Sequence, residues 1–272
     1  MLLEAGCPEP LPDARELIRF VSGFDLVSYA ANLNEEVPCD VEERYMACIK
    51  RRMAREPVQY ITGTAPFFGY SFLVTPDVLI PRYDTEIVVE EALRFVRPDS
   101  GILDLCTGSG CILLAVLAGA REKFGDSFRV RGDASDISSE ALSVARANAA
   151  RLQLNIHCIL SDLFENIRGT YDIILSNPPY IPTAAVAALE PEVRDHEPNL
   201  ALDGKEDGLF FYRMIADEAG KHLEKGGHLI LEIGYDQAEA VMGLLGDKGY
   251  GDIKCMKDLA GCDRAVSAAW TE

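Results

Sequence analysis

The chain of 272 residues is 48% hydrophobic, enough to bury the core of one large domain or of a large and a small one. Forty-four acidic residues against 26 basic ones leave a formal charge of −18, which repels nucleic acid at long range and argues against a duplex-binding surface. No apolar run approaches the roughly 18 residues of a membrane span and no charged-then-apolar leader opens the chain, so a soluble cytoplasmic protein with neither a membrane nor a nucleic-acid partner is expected.

Residues 11 to about 56 carry apolar positions at helical spacing: Leu17, Ile18 and Val21, then Val41, Tyr45, Met46 and Ile49. Pro38 interrupts the pattern and Asp40 is placed to restart it as an N-cap. Residues 1–56 are therefore expected to form a small helical domain. Over residues 57–81 the character changes. Val58, Tyr60, Phe67, Phe68, Tyr70, Phe72, Val74 and Val78 are aromatic or β-branched, punctuated by Gly63, Pro66, Gly69 and Pro76, a pattern that predicts a β-hairpin linker. From residue 82 to 272 strand and helix signals alternate. Strands are predicted at 101–105, 128–135, 156–160, 171–176, 228–233, 253–256 and 264–270, with helices at 112–123, 138–152, 209–223 and 237–245. Strands spaced by helices imply an α/β fold with a doubly wound, seven-stranded, mainly parallel sheet, closed by an antiparallel pair.

Eight cysteines (Cys7, Cys39, Cys48, Cys106, Cys111, Cys158, Cys255 and Cys262) form no CxxC pair. Neither they nor the four histidines show ligand spacing, so free thiols and no metal site are expected. Lys50, Arg51, Arg52 and Arg55 make a basic cluster that reads as a solvated helix face.

The first strand of the alternating region runs into Cys106-Thr107-Gly108-Ser109-Gly110 and then a helix. Two glycines two apart let backbone approach a ligand closely at a helix N-terminus. The third glycine of the dinucleotide fingerprint is missing, which disfavours NAD. Asp136 closes the second strand, 26 residues after Gly110 (136 − 110), where a carboxylate can accept from both hydroxyls of a ribose. The alternative for Asp136 is the N-cap of the following helix, where Asp136 or Ser138 would serve; Ser138 can cap, which frees Asp136. Asp162 follows the third strand and can accept from an adenine amino group, with Leu163 or Phe164 against the ring; its alternative reading is a turn aspartate. A glycine loop, a ribose carboxylate and an adenine acceptor suit S-adenosylmethionine better than a nucleotide phosphate.

Asn177-Pro178-Pro179-Tyr180 follows the fourth strand. Two consecutive prolines cannot extend a central strand, so the strand must stop there. The corner offers the Asn177 amide, the Pro178 carbonyl and the Tyr180 ring at the carboxyl end of a strand, where ligands of open α/β sheets bind. It can grip a planar group bearing an NH2 by its edge and by its face.

At this point the chain resembles the class I methyltransferases that modify a nitrogen on a planar group. More closely, it is similar to the protein-(glutamine-N5) methyltransferases that act on peptide chain release factors. The likeness runs over nearly the whole chain. It is carried by Pro57-Val58-Gln59-Tyr60-Ile61-Thr62-Gly63, Ile80-Pro81-Arg82-Tyr83-Asp84-Thr85-Glu86, the glycine loop, Asp136-Ile137-Ser138 and Asn177-Pro178-Pro179-Tyr180-Ile181. Further matches are Glu192-Val193-Arg194, Glu197-Pro198, Ala201-Leu202-Asp203-Gly204, Asp207-Gly208-Leu209 and Asp263-Arg264.

The resemblance implies a helical N-terminal domain that helps hold a protein substrate, a hairpin, and a catalytic domain over residues 82–272. It implies methyl transfer from S-adenosylmethionine, leaving S-adenosylhomocysteine, to the side-chain amide of the glutamine in a release factor's Gly-Gly-Gln motif. Asn177, Pro178 and Tyr180 are the implied catalytic residues. Cys106, Thr107, Gly108, Ser109, Gly110, Asp136, Asp162, Leu163 and Asn177 are expected to hold the cofactor, and Asn177, Pro178, Pro179 and Tyr180 the substrate. Arg82, Thr85 and Glu86 either start a helix or line the pocket. Glu192, Arg194 and Glu197 either form a surface salt-bridge cluster or touch substrate, and the stretch from Lys50 to Arg55 is one candidate for docking.

Some positions depart from the family pattern. Cys106 stands where glycine is common, and Lys205 where a second glycine is usual after Gly204. Arg131, Gly132 and Asp133 make the second strand unusually polar. Met1-Leu2-Leu3-Glu4-Ala5-Gly6 is expected to match the end of the family's first helix, without its opening turns. Two other targets fit the same chemistry: a glutamine in a ribosomal protein, and adenine in nucleic acid, the latter weakened by the net charge and by the lack of a target-recognition domain. A cofactor-binding subunit without catalysis is the reading from another class, and the intact tetrapeptide argues against it.

Overall fold

The computed structural model describes residues 1–271. The chain divides into two compact units, one made of residues 1–64 and 189–196, the other of residues 65–188 and 197 onward. In chain order the first unit opens with the helices α1 (Pro10–Ser22), α2 (Leu26–Ala31), α3 (Cys39–Met53) and α4 (Val58–Thr62). A hairpin of β1 (Thr64–Phe67) and β2 (Tyr70–Leu73) follows. Then come α5 (Glu86–Phe95), β3 (Gly101–Leu105), α6 (Cys111–Phe124), β4 (Arg131–Asp136), α7 (Ser139–Arg151), β5 (His157–Leu160), β6 (Tyr171–Ser176) and α8 (Thr183–Val186). The chain returns to the first unit for α9 (Pro191–Arg194). It completes the second with α10 (Phe210–Glu218), β7 (Leu223–Glu232), α11 (Ala238–Asp247), β8 (Tyr250–Lys257) and β9 (Asp263–Trp270).

In the second unit seven strands form one sheet in the order β5-β4-β3-β6-β7-β9-β8. The first five run parallel, and β9 is antiparallel to both of its neighbours. This is the mainly parallel, doubly wound sheet that the sequence predicts, with β9 inserted so that β8 forms the edge. Strands covered on both faces read as unbroken apolar runs, because alternate side chains enter different cores. Ile102, Ile173 and Ile230 pack with α5 and α6 on one face. Leu103, Ile174, Leu229 and Leu231 pack with α10 and α11 on the other. Helix α6 is buried from Cys111 to Ala118, and each fully covered leucine there contributes about 2 kcal/mol. The polar start of β4 has local causes. A Cβ on Gly132 would stand 2.8 Å from Leu117 Cδ1, so helix α6 lies directly on that strand. Asp133 accepts from the Tyr171 hydroxyl at 2.7 Å.

Three local expectations are corrected. Val58 and Tyr60 lie in helix α4, not in a strand: Pro57 opens the turn, Gly63 closes it at φ 76°, and Tyr60 and Ile61 are buried by it. Asp40 lies inside the first turn of α3, whose N-cap position belongs to Pro38. Strand β7 begins at Leu223, earlier than expected: it pairs with Tyr171 there and, after a register shift, with Ile173–Ser176 from His228 to Leu231. Among the described residues no helix is long and apolar enough to cross a membrane.

In the first unit Leu17, Val21, Cys48, Ile49 and Ile61 form the core. The basic cluster is a solvated face only in part: Lys50 and Arg51 are exposed, but Arg52 and Arg55 are not. Arg52, 5% exposed, pairs with Asp13 at 2.7 Å and with Glu192 at 2.8 Å, and Arg55 pairs with Glu192 at 2.5 Å. Arg51 pairs with Glu56. Burial alone would raise the Glu192 carboxyl, but hydrogen bonds from Arg55 and Arg52 draw it down to about 2. A carboxyl held below its ordinary value stabilises the fold above that value, and the gain is lost as pH falls through the folded one. Glu192→Gln is expected to lower stability by about 1.5–3 kcal/mol at pH 7. In circular-dichroism melts the gap to the unmutated protein should narrow between pH 4.5 and 2; a gap constant with pH would deny the ion pair its part.

Candidate active site

The site is built by register. Leu105 lies opposite Ser135 on one side and Ser176 on the other, and Asp136 lies opposite Leu160. Four strands therefore release their chains at one edge of the sheet. The ends are tied to each other: Ser176 Oγ donates to the Leu105 carbonyl at 2.9 Å, the Thr107 amide to Ser135 at 3.0 Å, and the Ser161 amide to Asp136 at 2.9 Å.

The loop after β3 turns through three left-handed residues, Cys106 (φ 56°), Gly108 (φ 53°) and Gly110 (φ 78°). Lys205 also has positive φ, at 71°. Both non-glycine departures from the family pattern thus fall where glycine carries the smallest backbone cost. A Cβ on Gly108 would meet nothing within 4 Å, whereas one on Gly110 would press on Ala145 Cβ at 3.2 Å. Gly108 is open, and Gly110 is where α6 packs on α7.

Side chains hold this loop from three directions. Asp104, wholly buried, accepts from Thr107 Oγ1 at 2.6 Å, and burial pushes its carboxyl up to about 7. Asp136 accepts from the Gly108 amide and from the Ser138 amide, each at 2.9 Å. Burial raises the Asp136 carboxyl and these amides oppose the rise. Ser138, not Asp136, caps α7 by accepting from the Ala141 amide at 3.0 Å, which leaves Asp136 for the loop. Asn148, 1% exposed, donates to the Ser109 and Leu73 carbonyls at 2.9 and 3.0 Å and accepts from the Leu73 amide at 2.6 Å. Cys106 and Cys111 flank the loop as free thiols, both raised by burial, Cys111 to about 12. Among the described residues no group of His, Cys, Asp or Glu side chains is arranged to hold a metal ion.

A cavity of about 820 Å³ opens at this edge. Of the residues predicted from sequence, Cys106, Thr107, Gly108, Ser109, Asp136, Asp162, Leu163, Asn177 and Pro179 line it. Gly110, Pro178 and Tyr180 are not among its lining residues. Arg82 and Thr85 border it, whereas Glu86 accepts from the Phe68 amide at 2.7 Å and serves the hairpin. Arg82 pairs with Glu197, a buried carboxylate raised by that burial and lowered by Arg82. Glu197 is thus neither on the surface nor in a surface cluster, and Arg194 pairs with its neighbour Asp195. The far wall was not foreseen: Phe210, Phe211 and Met214 of α10, with His222 stacked on Phe164 at 5.0 Å between ring centroids. The aromatic run Phe210-Phe211-Tyr212 is the one signal of it in the sequence. Among the charged residues of a mainly apolar lining, carboxylates outnumber cations (Asp77, Asp136, Glu140, Asp162, Glu165 and Glu218), and the cations are engaged, Arg82 with Glu197 and Lys205 with Asp203. Such a pocket disfavours phosphates and favours a cationic guest.

The corner at 177–180 is fixed behind the cavity. The Ile181 amide donates to Leu202 at 3.0 Å and the Gly204 amide to Ile181 at 2.8 Å. A Cβ on Gly208 would stand 2.3 Å from the Tyr180 carbonyl oxygen, so only glycine fits there. Tyr180 directs its hydroxyl to Glu232.

A mainly parallel seven-stranded sheet with this order, an antiparallel β9, and a glycine loop and acidic strand end around one cavity define a class I methyltransferase. Residues 1–63 match the PrmC N-terminal domain and residues 85–192 the methyltransferase small domain. A protein of Agrobacterium fabrum named release factor glutamine methyltransferase is 41% identical, over 98% of this chain and 92% of its own. One of the same name from Geobacter sulfurreducens is 42% identical over 97% and 91%. The chain belongs to the release factor glutamine methyltransferase family. A solved methyltransferase from Pyrococcus furiosus shares the fold, with a TM-score of 0.54 at 20% identity over 84% of this chain and 98% of that one.

Asn148 satisfies three backbone groups that no other side chain reaches in these bonds. Asn148→Ala is expected to lower unfolding free energy by at least about 2 kcal/mol in urea titrations, because buried polar groups lose their partners. A loss well below that would mean that the loop is held without it.

Proposed function

We propose that this protein transfers a methyl group from S-adenosylmethionine to the side-chain amide nitrogen of the glutamine in the Gly-Gly-Gln motif of peptide chain release factors. One observation carries the reading: Asn177 and the glycine loop leave adjacent, paired strand ends and border the same cavity. The acidic lining supports a cationic cofactor without phosphates. Asp136 is the candidate for the ribose, Asp162 and Leu163 for the adenine, and Gly108 for close backbone approach. When bound, that cofactor supplies a methyl group on a positively charged sulfur.

The remaining work falls to the chain itself. An amide nitrogen is a poor nucleophile because its lone pair is delocalised into the carbonyl. The Asn177 side-chain oxygen and the Pro178 carbonyl are assigned to accept its two N–H bonds. Two acceptors fix the nitrogen's direction and favour the positive charge that grows on it during attack. Pro179 stiffens the corner, and the Tyr180 ring, which lies behind the residues that line the cavity, is assigned to the face of the amide plane once a substrate enters. A protein substrate also needs a docking surface. In the first unit Leu26 and Val27 are 68% and 76% exposed, and Phe20 and Phe24 lie in the same stretch of chain. Such a reaction belongs in the cytoplasm, with release factors as partners.

The test is mass spectrometry of a release factor's Gly-Gly-Gln peptide after incubation with the protein and S-adenosylmethionine. One methyl on the glutamine is expected. Asn177→Ala should cut turnover by at least about 100-fold while the calorimetric affinity for S-adenosylmethionine changes little. Asp136→Ala should do the reverse first, weakening the cofactor by about tenfold or more. Full turnover by Asn177→Ala would end the assignment.

A further inference from the structure

Glu232 is the last residue of β7, next to the Leu231 that pairs with Ser176 at the end of β6. It therefore stands beside the point where Asn177 begins the corner. It is 2% exposed, and among the described residues its Oε2 has no partner at hydrogen-bond distance and angle, Thr85 lying only near enough to favour its charge. The Tyr180 hydroxyl donates to its Oε1 at 3.4 Å. That contact is long for O–H···O, and a shortening of a few tenths of an ångström makes it a strong charge-assisted bond. The backbone of Tyr180 is already fixed: its carbonyl accepts from Gln237 Nε2 at 3.1 Å, and Gly208 crowds it. The ring has no comparable polar anchor besides the hydroxyl contact. Among the described residues this buried carboxylate has no ion pair of its own to explain it, the nearby Arg264 being paired with Asp84 and Asp258.

We propose that Glu232 is a positioning residue, which holds the Tyr180 ring through its hydroxyl and so sets the face of the corner against the glutamine amide. The inference rests on the function proposed above and adds to it a residue outside the tetrapeptide. The anchor is strongest when the carboxyl is ionised. Burial pushes Glu232 up to about 7; Thr85, beside the start of α5, and Arg264 of β9 favour its charge, and Asp84 opposes it. Tyr212 of α10 donates to the Glu232 carbonyl at 2.9 Å, and Cys111 of α6 feels the same carboxylate. The anchor thus weakens as pH falls through about 7. Arg264 itself pairs with Asp258 at 3.2 Å and with Asp84 at 3.4 Å.

The experiment compares the unmutated protein with Glu232→Gln, Tyr180→Phe and the double variant between pH 6 and 8. Turnover of a release factor by the unmutated protein is expected to fall by up to about tenfold per pH unit below the titration, as for a single proton. In Glu232→Gln that acid limb disappears and turnover is lowered at pH 8, with KM and cofactor affinity within about twofold. Glu232→Gln should add nothing to Tyr180→Phe, because both remove one contact. A second readout needs no substrate: the ¹³Cζ resonance of Tyr180, identified by its loss in Tyr180→Phe, should shift with pH around 7 and stand still in Glu232→Gln. An acid limb that survives in Glu232→Gln, additive effects in the double variant, or a Tyr180 resonance blind to pH would each overturn the proposal. Absence of methylation in the unmutated protein with a moving resonance would overturn the substrate assignment and leave the Glu232 anchor standing.

Discussion

The level at which three parallel strands end governs the site. Leu105 faces Ser135 and Ser176, so the loops at 106, 136 and 177 start within one residue of each other. A strand advances about 3.3 Å per residue and reverses its side chains at each step. A one-residue slip of β6 would move Asn177 off the cavity and turn its neighbours into the wrong core. The bonds from Ser176 to Leu105 and from Thr107 to Ser135 close the register at the end where it matters. Helices α5 and α6 on one face and α10 and α11 on the other keep the strands from sliding by filling both sides with matched apolar layers.

The edge created in this way collects buried acids. Asp104, the half-buried Asp136 and Glu232 sit at or next to the strand ends, Glu197 reaches the site through Arg82, and burial raises each of them. Their partners differ, and so do their tasks. Asp104 and Asp136 are anchored by the loop they shape. Glu197 is paired with a guanidinium. Glu232 has one long contact and an oxygen left over. Desolvating a carboxylate costs free energy unless donors return it. The concentration of that cost at one edge separates a binding site from a mere strand-ending turn.

Punctuation made much of this legible. Asn177-Pro178-Pro179 can end a strand in only one way, and Gly108 and Gly110 mark a turn that side chains resist; both strands end where those residues predict. Composition misleads where a segment is short. Val58 and Tyr60 carry strand-like side chains, yet Pro57 and Gly63 close a five-residue helix around them. Long-range partners leave no trace in local pattern. Arg55 looks solvated until Glu192 is found 137 positions away. Asn148 looks like an ordinary helix residue until Leu73 arrives from 75 positions away. The same distance hides Glu232, which from sequence is one more residue at the end of an apolar run.

Residues 189–196 belong to the first unit although they are made after most of the second. During synthesis Arg55 therefore waits for Glu192, 137 positions later, and Arg52 a little longer. At ~5–20 residues per second that delay is roughly 7–27 s. Throughout it the helical unit carries cations that its own first 64 residues neutralise only in part, through Asp13 and Glu56. Strands β3 to β6 emerge in the same interval, so the nascent sheet forms its central pairs before the N-terminal unit is chemically complete.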